Sequence, residues 1–381
     1  MKKQKVFIVF VLILWSLLVI KCRDENNGLY SNNKLPTYNF PQNLLSQRIK
    51  ERKLSSNTLR LVAEIDLEKL KVYNPAYLKF DIRGSLYTID FSEFLIHKFS
   101  PAPDWKNYKY MFFGKGKGQG PGELSQVLDF KIFKNELFLV DEGTGSIEVY
   151  STDGSYIKRI NLSNNVIPRK ITIQKNRLIV ESSLIPEKPL FYIYDFSGNM
   201  ISSFGELISE KNLNPVYLDN KLSESFYRNR FYYLPRFLGY IALYEGRHLL
   251  MVKETIDGIK KGRLNTPVEK VIMKNIIAKT VIKKYATVVN YALHKDFILI
   301  KAYDYKNKIV FWDIYELNNF DYLMSIKNPP KSVEFAIYKD YIAVLGYTET
   351  GSKIEIFDMR EILKEIKQLL THRKSKEQYK N

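Results

Sequence analysis

The chain has 381 residues, 45% of them apolar and 14% aromatic, which excludes a disordered protein and allows a large core. Its one cysteine, Cys22, excludes an internal disulfide framework and a cysteine-based zinc site. The formal net charge is +18, and +14 remains without Lys2, Lys3, Lys5 and Lys21; no arginine-rich run with interleaved aromatics accompanies it, so no nucleic-acid partner is expected.

Residues 1–22 read as an export signal. Lys2, Lys3 and Lys5 precede the apolar run Val6–Ile20, which is too short to span a bilayer comfortably and suits a signal core. The run ends at Cys22, as in a bacterial lipoprotein signal, so Cys22 is expected to be lipidated and to hold the chain on the membrane of the bacterial envelope. An uncleaved anchor and simple secretion are the alternatives. Residues 23–58 read as a polar tether, with a short helix expected over Asn43–Leu54. Leu59–Ile65 is a strand pattern with no local partner.

A first set of four strands follows: Tyr77–Ile82, Ser85–Phe91, Phe94–Phe99 and Tyr108–Phe113. A glycine-rich loop then contains Gly114, Gly116, Gly118, Gly120, Pro121, Gly122 and Glu123. Alternating glycines allow φ > 0 and a sharp crossing between structural units. No Gly-Lys-Ser/Thr occurs in the loop, and no register fits Gly-x-Gly-x-x-Gly, so neither phosphate-cradling motif is met. The loop leads into Val127–Phe133, Glu136–Asp141, Ser146–Tyr150 and Tyr156–Ile160. A third set spans Arg169–Ile173, Arg177–Glu181, Phe191–Asp195 and Met200–Phe204. Gly154 and Gly198 sit at equivalent hairpins 44 residues apart. Four short strands per such period predict a propeller blade.

Gly205–Arg230 reads as an inserted loop or short helix. Blade four is expected over Leu238–Tyr244, His248–Lys253, Val268–Met273 and Ile277–Ile282. Blade five follows at Ala286–Leu293, Phe297–Tyr303, Lys308–Tyr315 and Tyr322–Ile326. Blade six has only Val333–Ile337, Tyr341–Tyr347 and Lys353–Asp358 before Met359–Leu370, whose apolar residues recur at helical spacing. A ring must close or expose unpaired edges, so Leu59–Ile65 is expected to supply the missing outer strand of blade six. The fold expected is therefore all-β: a six-bladed propeller over 59–358, closed by an N-terminal strand, with a C-terminal helix and basic tail at 359–381. Removing residues 23–55 should leave it folded, and removing 23–67 should not.

The stretch Gly118-Gln119-Gly120-Pro121-Gly122-Glu123-Leu124, followed by Leu137–Asp141 and Ile147–Gly154, resembles the NHL-type propeller repeat. It is similar in particular to six-bladed propeller lipoproteins of bacteria that carry a Gly-x-Gly-Pro-Gly-Glu blade. Ser146 stands where that repeat usually has a basic residue. The resemblance implies an interaction platform rather than a particular chemistry.

No catalytic residue, metal ligand set or cofactor is assigned. His97, His248, His294 and His372 are scattered, and no blade repeats a His or carboxylate at an equivalent first-strand position. Asp129, Asp141, Glu181, Asp195, Asp313 and Asp358 sit at strand ends, where a carboxylate usually binds turn amides. Trp105, beside Pro101 and Pro103, reads as a loop aromatic that could stack on a sugar. The expected function is a monomeric binding module for a protein or glycan at one face of the disc. The rival is a lactonase-like propeller hydrolase or lyase with a metal in the central channel.

Overall fold

The apolar runs of the sequence become the second and third strands of blades, and they are apolar throughout because neighbouring blades cover both faces. Leu86–Asp90 is entirely buried, as is almost all of Glu136–Asp141 and Ser146–Ser151. The outer strand Tyr156–Asn161 instead mixes exposed and covered residues. The computed structural model describes residues 44–381, apart from 103–104, 183–188, 206–219, 225–229, 236–238, 258–267, 274–275, 282–289, 305–307, 350 and 379–381. Residues 1–43, on which the expected signal, Cys22 and the first part of the expected tether fall, lie outside the described residues.

Six small antiparallel sheets form a six-bladed β-propeller. Blade one comprises Pro75–Phe80, Leu86–Asp90, Leu95–Pro101 and Tyr108–Phe113; blade two Val127–Phe133, Glu136–Asp141, Ser146–Ser151 and Tyr156–Asn161. Blade three comprises Lys170–Gln174, Arg177–Glu181, Phe191–Tyr194 and Met200–Phe204; blade five Asn290–Leu293, Phe297–Asp304, Ile309–Glu316 and Tyr322–Lys327. The first strands touch in a closed circuit, blade six returning to blade one through Glu334–Tyr338 against Pro75–Phe80. The core is correspondingly a ring of six wedges, one between each pair of adjacent blades.

Blade six closes as expected. Arg60–Asp66 pairs antiparallel with Ser352–Asp358, from Arg60 opposite Asp358 to Asp66 opposite Lys353. Beyond it, Arg360–Gln378 forms the helix, longer than the pattern Met359–Leu370 suggested. Asp358 starts it by accepting the Arg360 amide at 2.9 Å. Ile362, Leu363 and Ile366 bury against Trp312, Phe335 and Phe357, so the apolar face of the helix is spent on the wedge between blades five and six.

Two expectations are corrected. Blade four consists of Asn220–Glu224, Arg230–Pro235, Tyr240–Glu245 and His248–Glu254. The segments expected to be its first two strands are thus its third and fourth, and a strand lies inside the supposed insert. Val268–Met273 and Ile276–Val281 form a separate hairpin. Secondly, Leu44–Leu45 is not helical but a fifth, parallel strand on His248–Glu254. From there the expected tether lies bound to the ring. Gln47 donates to the carbonyls of Glu254 (2.8 Å) and Phe320 (2.7 Å), bridging blades four and five. Arg52 reaches Asp257 and Asp313, and Ser55 and Asn57 donate to Glu365 of the helix at 2.7 and 2.8 Å.

Candidate functional site

Each blade is an antiparallel meander, so the start of its first strand and the turn between its second and third strands lie at one face. The chain also crosses to the next blade there. That joining face carries Tyr73, Ile167, Val333 and Tyr347, exposed at 58%, 41%, 44% and 50%. Tyr73, Ile167 and Val333 precede the first strands of blades one, three and six, and Tyr347 ends the second strand of blade six. Single exposed apolar residues are ordinary; several gathered on one face offer apolar area that a partner could cover.

The glycine loop belongs to this face, and its glycines have distinct jobs. Gly114, Gly116 and Gly122 adopt φ of 113°, 82° and 81°. Gly120 does not adopt positive φ. Gly118 and Gly120 instead make room for Glu123: a Cβ on Gly118 would lie 2.0 Å from Glu123 Oε2. That carboxylate accepts the Gly120 amide at 2.8 Å. Other loop amides meet loop carbonyls, with Gly118 donating to Leu124 and Leu124 to Gly116, both at 3.0 Å. Pro121 fixes the turn, and its carbonyl accepts Lys115 Nζ at 2.7 Å.

Blade two grips the loop from outside. Arg159 Nη2 donates to the carbonyls of Gln119 (2.9 Å) and Gly120 (3.0 Å), and the Tyr150 hydroxyl donates to the Gly122 carbonyl. Glu148, fully buried, holds Arg159 and accepts the Tyr156 hydroxyl at 3.1 Å. The loop fastens blade one to blade two. Gly122→Ala should lower the melting midpoint by an amount equivalent to about 1 kcal/mol or more, through strain at positive φ. Gly118→Ala should also destabilise by displacing Glu123, and Gly120→Ala should cost least. Thermal denaturation of the three variants checks the order; equal midpoints would contradict it.

Trp105 is buried, 2% exposed, in the wedge between blades six and one, with its ring edge-on to Phe80 at 5.9 Å. It does not present a face to a sugar. The strand-end carboxylates serve the backbone or a buried cation. Asp141 accepts the amides of Ser125 (2.9 Å), Gln126 (2.8 Å) and Gly143 (3.1 Å), and Asp90 does the same for Tyr73, Asn74 and Ser92 in blade one. Asp195 accepts from Ser197 and Asn199 in its hairpin, and Asp313 from Arg52. Glu181 is buried at the end of its strand.

The histidines do not converge. His97 Nδ1 meets the Tyr110 hydroxyl at 2.9 Å, and burial pulls its pKa down. His294 stacks on Phe297 at 4.6 Å, and burial brings it to about 4. His248 is exposed on blade four. Among the described residues no group of three or more His, Cys, Asp or Glu is arranged to hold a metal ion.

The channel holds lysines that the sequence reading did not single out, gathered about Asp129. Its cavity, 580 Å³, is lined by first strands of blades one, two, three, five and six. Lys79 Nζ lies 2.7 Å from Asp129 Oδ1 and donates to the Phe130 carbonyl. Lys170 Nζ donates to the Leu128 carbonyl at 2.9 Å and lies 5.5 Å from the Tyr77 ring centre. Asp129 also accepts the Ile171 amide at 3.2 Å. Burial opposes its charge, but Lys79, Lys131 and Lys170 outweigh that and hold its pKa below the usual carboxylate range. Of the other channel carboxylates, Asp81 accepts the Ser85 amide and the Tyr87 hydroxyl, and Glu334 accepts Asn290 Nδ2 at 2.9 Å. The available signal was a lysine inside an otherwise apolar first strand, as in Leu78-Lys79-Phe80 and Phe130-Lys131-Ile132.

No protein-family model matches this sequence, and no curated protein does. Solved propellers resemble it in shape. A member of the DUF4221 family from Bacteroides vulgatus is 10% identical, with 86% of this chain and 99% of that chain covered and a TM-score of 0.47. A catalytically inactive virginiamycin B lyase from Staphylococcus aureus, with quinupristin, is 11% identical over 78% of this chain and 99% of that chain, with a TM-score of 0.47. A luciferin-regenerating enzyme is 11% identical over 78% of this chain and 95% of that chain, with a TM-score of 0.44. At these identities the resemblance assigns no activity.

Proposed function

We propose that the chain is an exported propeller of the NHL type, anchored through a lipidated Cys22 in a bacterial envelope, and that it is a binding module for a protein or glycan. The observation that carries this reading is the joining face, where Tyr73, Ile167, Val333 and Tyr347 stand exposed. Such a surface binds through presented loops without needing internal chemistry. The rival, a metal-dependent hydrolase or lyase, finds no specific support, because the channel carboxylates Asp81, Asp129 and Glu334 are already engaged by protein donors.

The test is cross-linked capture from native membranes. Tyr73→Ser and Val333→Glu should each lose the captured partner while melting like the parent, and Cys22→Ser should move the protein to the soluble fraction. Unchanged capture by both face variants would remove the joining face from consideration. A Cys22→Ser protein that stays on the membrane would remove the lipid anchor.

A further inference from the structure

The central channel is a cavity with one basic wall. Three consecutive blades each place a lysine there: Lys79 from blade one, Lys131 from blade two and Lys170 from blade three. All three act on Asp129, and with Lys134 the described lining of the cavity holds four lysines against the carboxylates Asp81, Asp129 and Glu334, leaving excess positive charge. Asp129 is nearly covered, with 8% of its side chain exposed, whereas Lys79 keeps 23%. Of the two, the Lys79 side chain is the more open to the cavity. An ammonium has three N–H donors. Among the described residues, Lys79 gives two of them to Asp129 and the Phe130 carbonyl, and Lys170 gives one to the Leu128 carbonyl. The remainder of the wall is largely apolar, including Ile132, Leu293, Ala336 and Ile337. This is the usual build of a small-molecule site: an apolar cavity with a few charged groups converging at one place.

We infer that the channel binds a small organic or inorganic anion, its carboxylate or phosphate group seated across Lys79, Lys131 and Lys170. Charge-assisted hydrogen bonds in a partly dehydrated cavity would hold that group more strongly than in open water. The inference rests on reading the chain as a binding module but uses a different surface from the joining face.

Charge at Lys79 sets the expected pH dependence. It faces Asp129 and Lys131 of blade two and Lys170 of blade three, and shares the cavity with Asp81 of its own blade and Glu334 of blade six. Burial, with Lys131 and Lys170 adding to it, pulls its pKa down to about 7 against the attraction of Asp129. The amine is charged below that value and neutral above it, so anion affinity should fall as pH rises through neutrality.

The experiment is calorimetric titration of the detergent-purified full chain at pH 6 and pH 8.5, with glucuronate, inorganic phosphate and glucose. Binding of glucuronate at pH 6 would identify a carboxylated ligand, and of phosphate a phosphorylated one; either supports the inference, and glucose should not bind. Glucuronate keeps its charge over this range, so its affinity reports the protein, and it should weaken about tenfold or more at pH 8.5. Lys79→Arg, which stays charged, should bind at both pH values. Lys170→Met should weaken binding without disturbing the Lys79–Asp129 pair, which guards against a Lys79→Met protein that fails to fold. Absence of heat from both anions with the parent chain at pH 6 would overturn the inference, as would unchanged affinity in Lys170→Met. Loss of the channel site with partner capture intact would leave the joining-face proposal standing, and the reverse result would sink that proposal alone.

Discussion

A chain lacking residues 23–67 is expected to show no cooperative unfolding transition, whereas one lacking 23–43 should melt like the parent. The first truncation removes Arg60–Asp66, the outer strand of blade six, and bares the edge of Ser352–Asp358. Several ladder hydrogen bonds go with it, each worth about 1 kcal/mol net. Ile65 and Leu67 are fully buried in the wedge between blades six and one, and burial of each is worth about 1.5–3 kcal/mol. Losses of this size consume most of a typical reserve of about 5–15 kcal/mol. The expectation that a chain lacking residues 23–55 stays folded is kept, but the structure adds a cost to that truncation. Residues 44–55 hold blades four and five and the helix through Gln47, Arg52 and Ser55. A chain lacking 23–55 should therefore fold but melt well below the parent. Circular dichroism melts of the three truncations decide; coincident curves for all would refute the closure argument.

What the sequence made legible follows from where each residue faces. Second and third strands are covered on both sides, so Leu137-Phe138-Leu139-Val140 stands out as an apolar run, and the hairpin glycines mark the period. Gly154 and Gly198 adopt φ of 103° and 88°, and a Cβ on Gly198 would lie 2.0 Å from the Asn161 carbonyl oxygen. Blade four misled because its first strand, Asn220–Glu224, is polar, while Val268–Met273 and Ile276–Val281 are rich in the β-branched residues of a blade strand. The channel lysines were hidden for another reason. A lysine in a first strand reads as solvent-facing until ring closure turns that side inward. The strap over 44–57 was hidden because its partners lie some 200 to 310 residues downstream, and a polar segment carries no mark of such pairing.

Arg52→Ala is expected to destabilise the protein by about 3–5 kcal/mol, the cost of leaving one member of a buried ion pair alone. Arg52 donates through Nε and Nη2 to the two oxygens of Asp313 at 3.0 and 2.8 Å, and Nη2 also reaches Asp257 at 2.6 Å. Its guanidinium lies 4.6 Å from the centre of the Phe311 ring. Asp313 is 1% exposed, and burial raises its pKa even with Arg52 and Ser325 donating to it. Without Arg52 that rise must grow. A carboxyl with a raised folded pKa binds more protons in the folded chain, so stability falls as pH climbs from about 4 through the raised value. The Arg52→Ala penalty should therefore be largest at neutral pH and shrink toward acid pH. Asp313→Asn in the same chain should recover part of the loss, because the uncompensated charge is gone. Denaturant melts of the four members of this cycle at pH 5 and pH 7.5 measure the coupling directly. A penalty under about 1 kcal/mol, or one that does not change with pH, would show that Arg52 is a surface residue in solution and that the strap does not bind blade five.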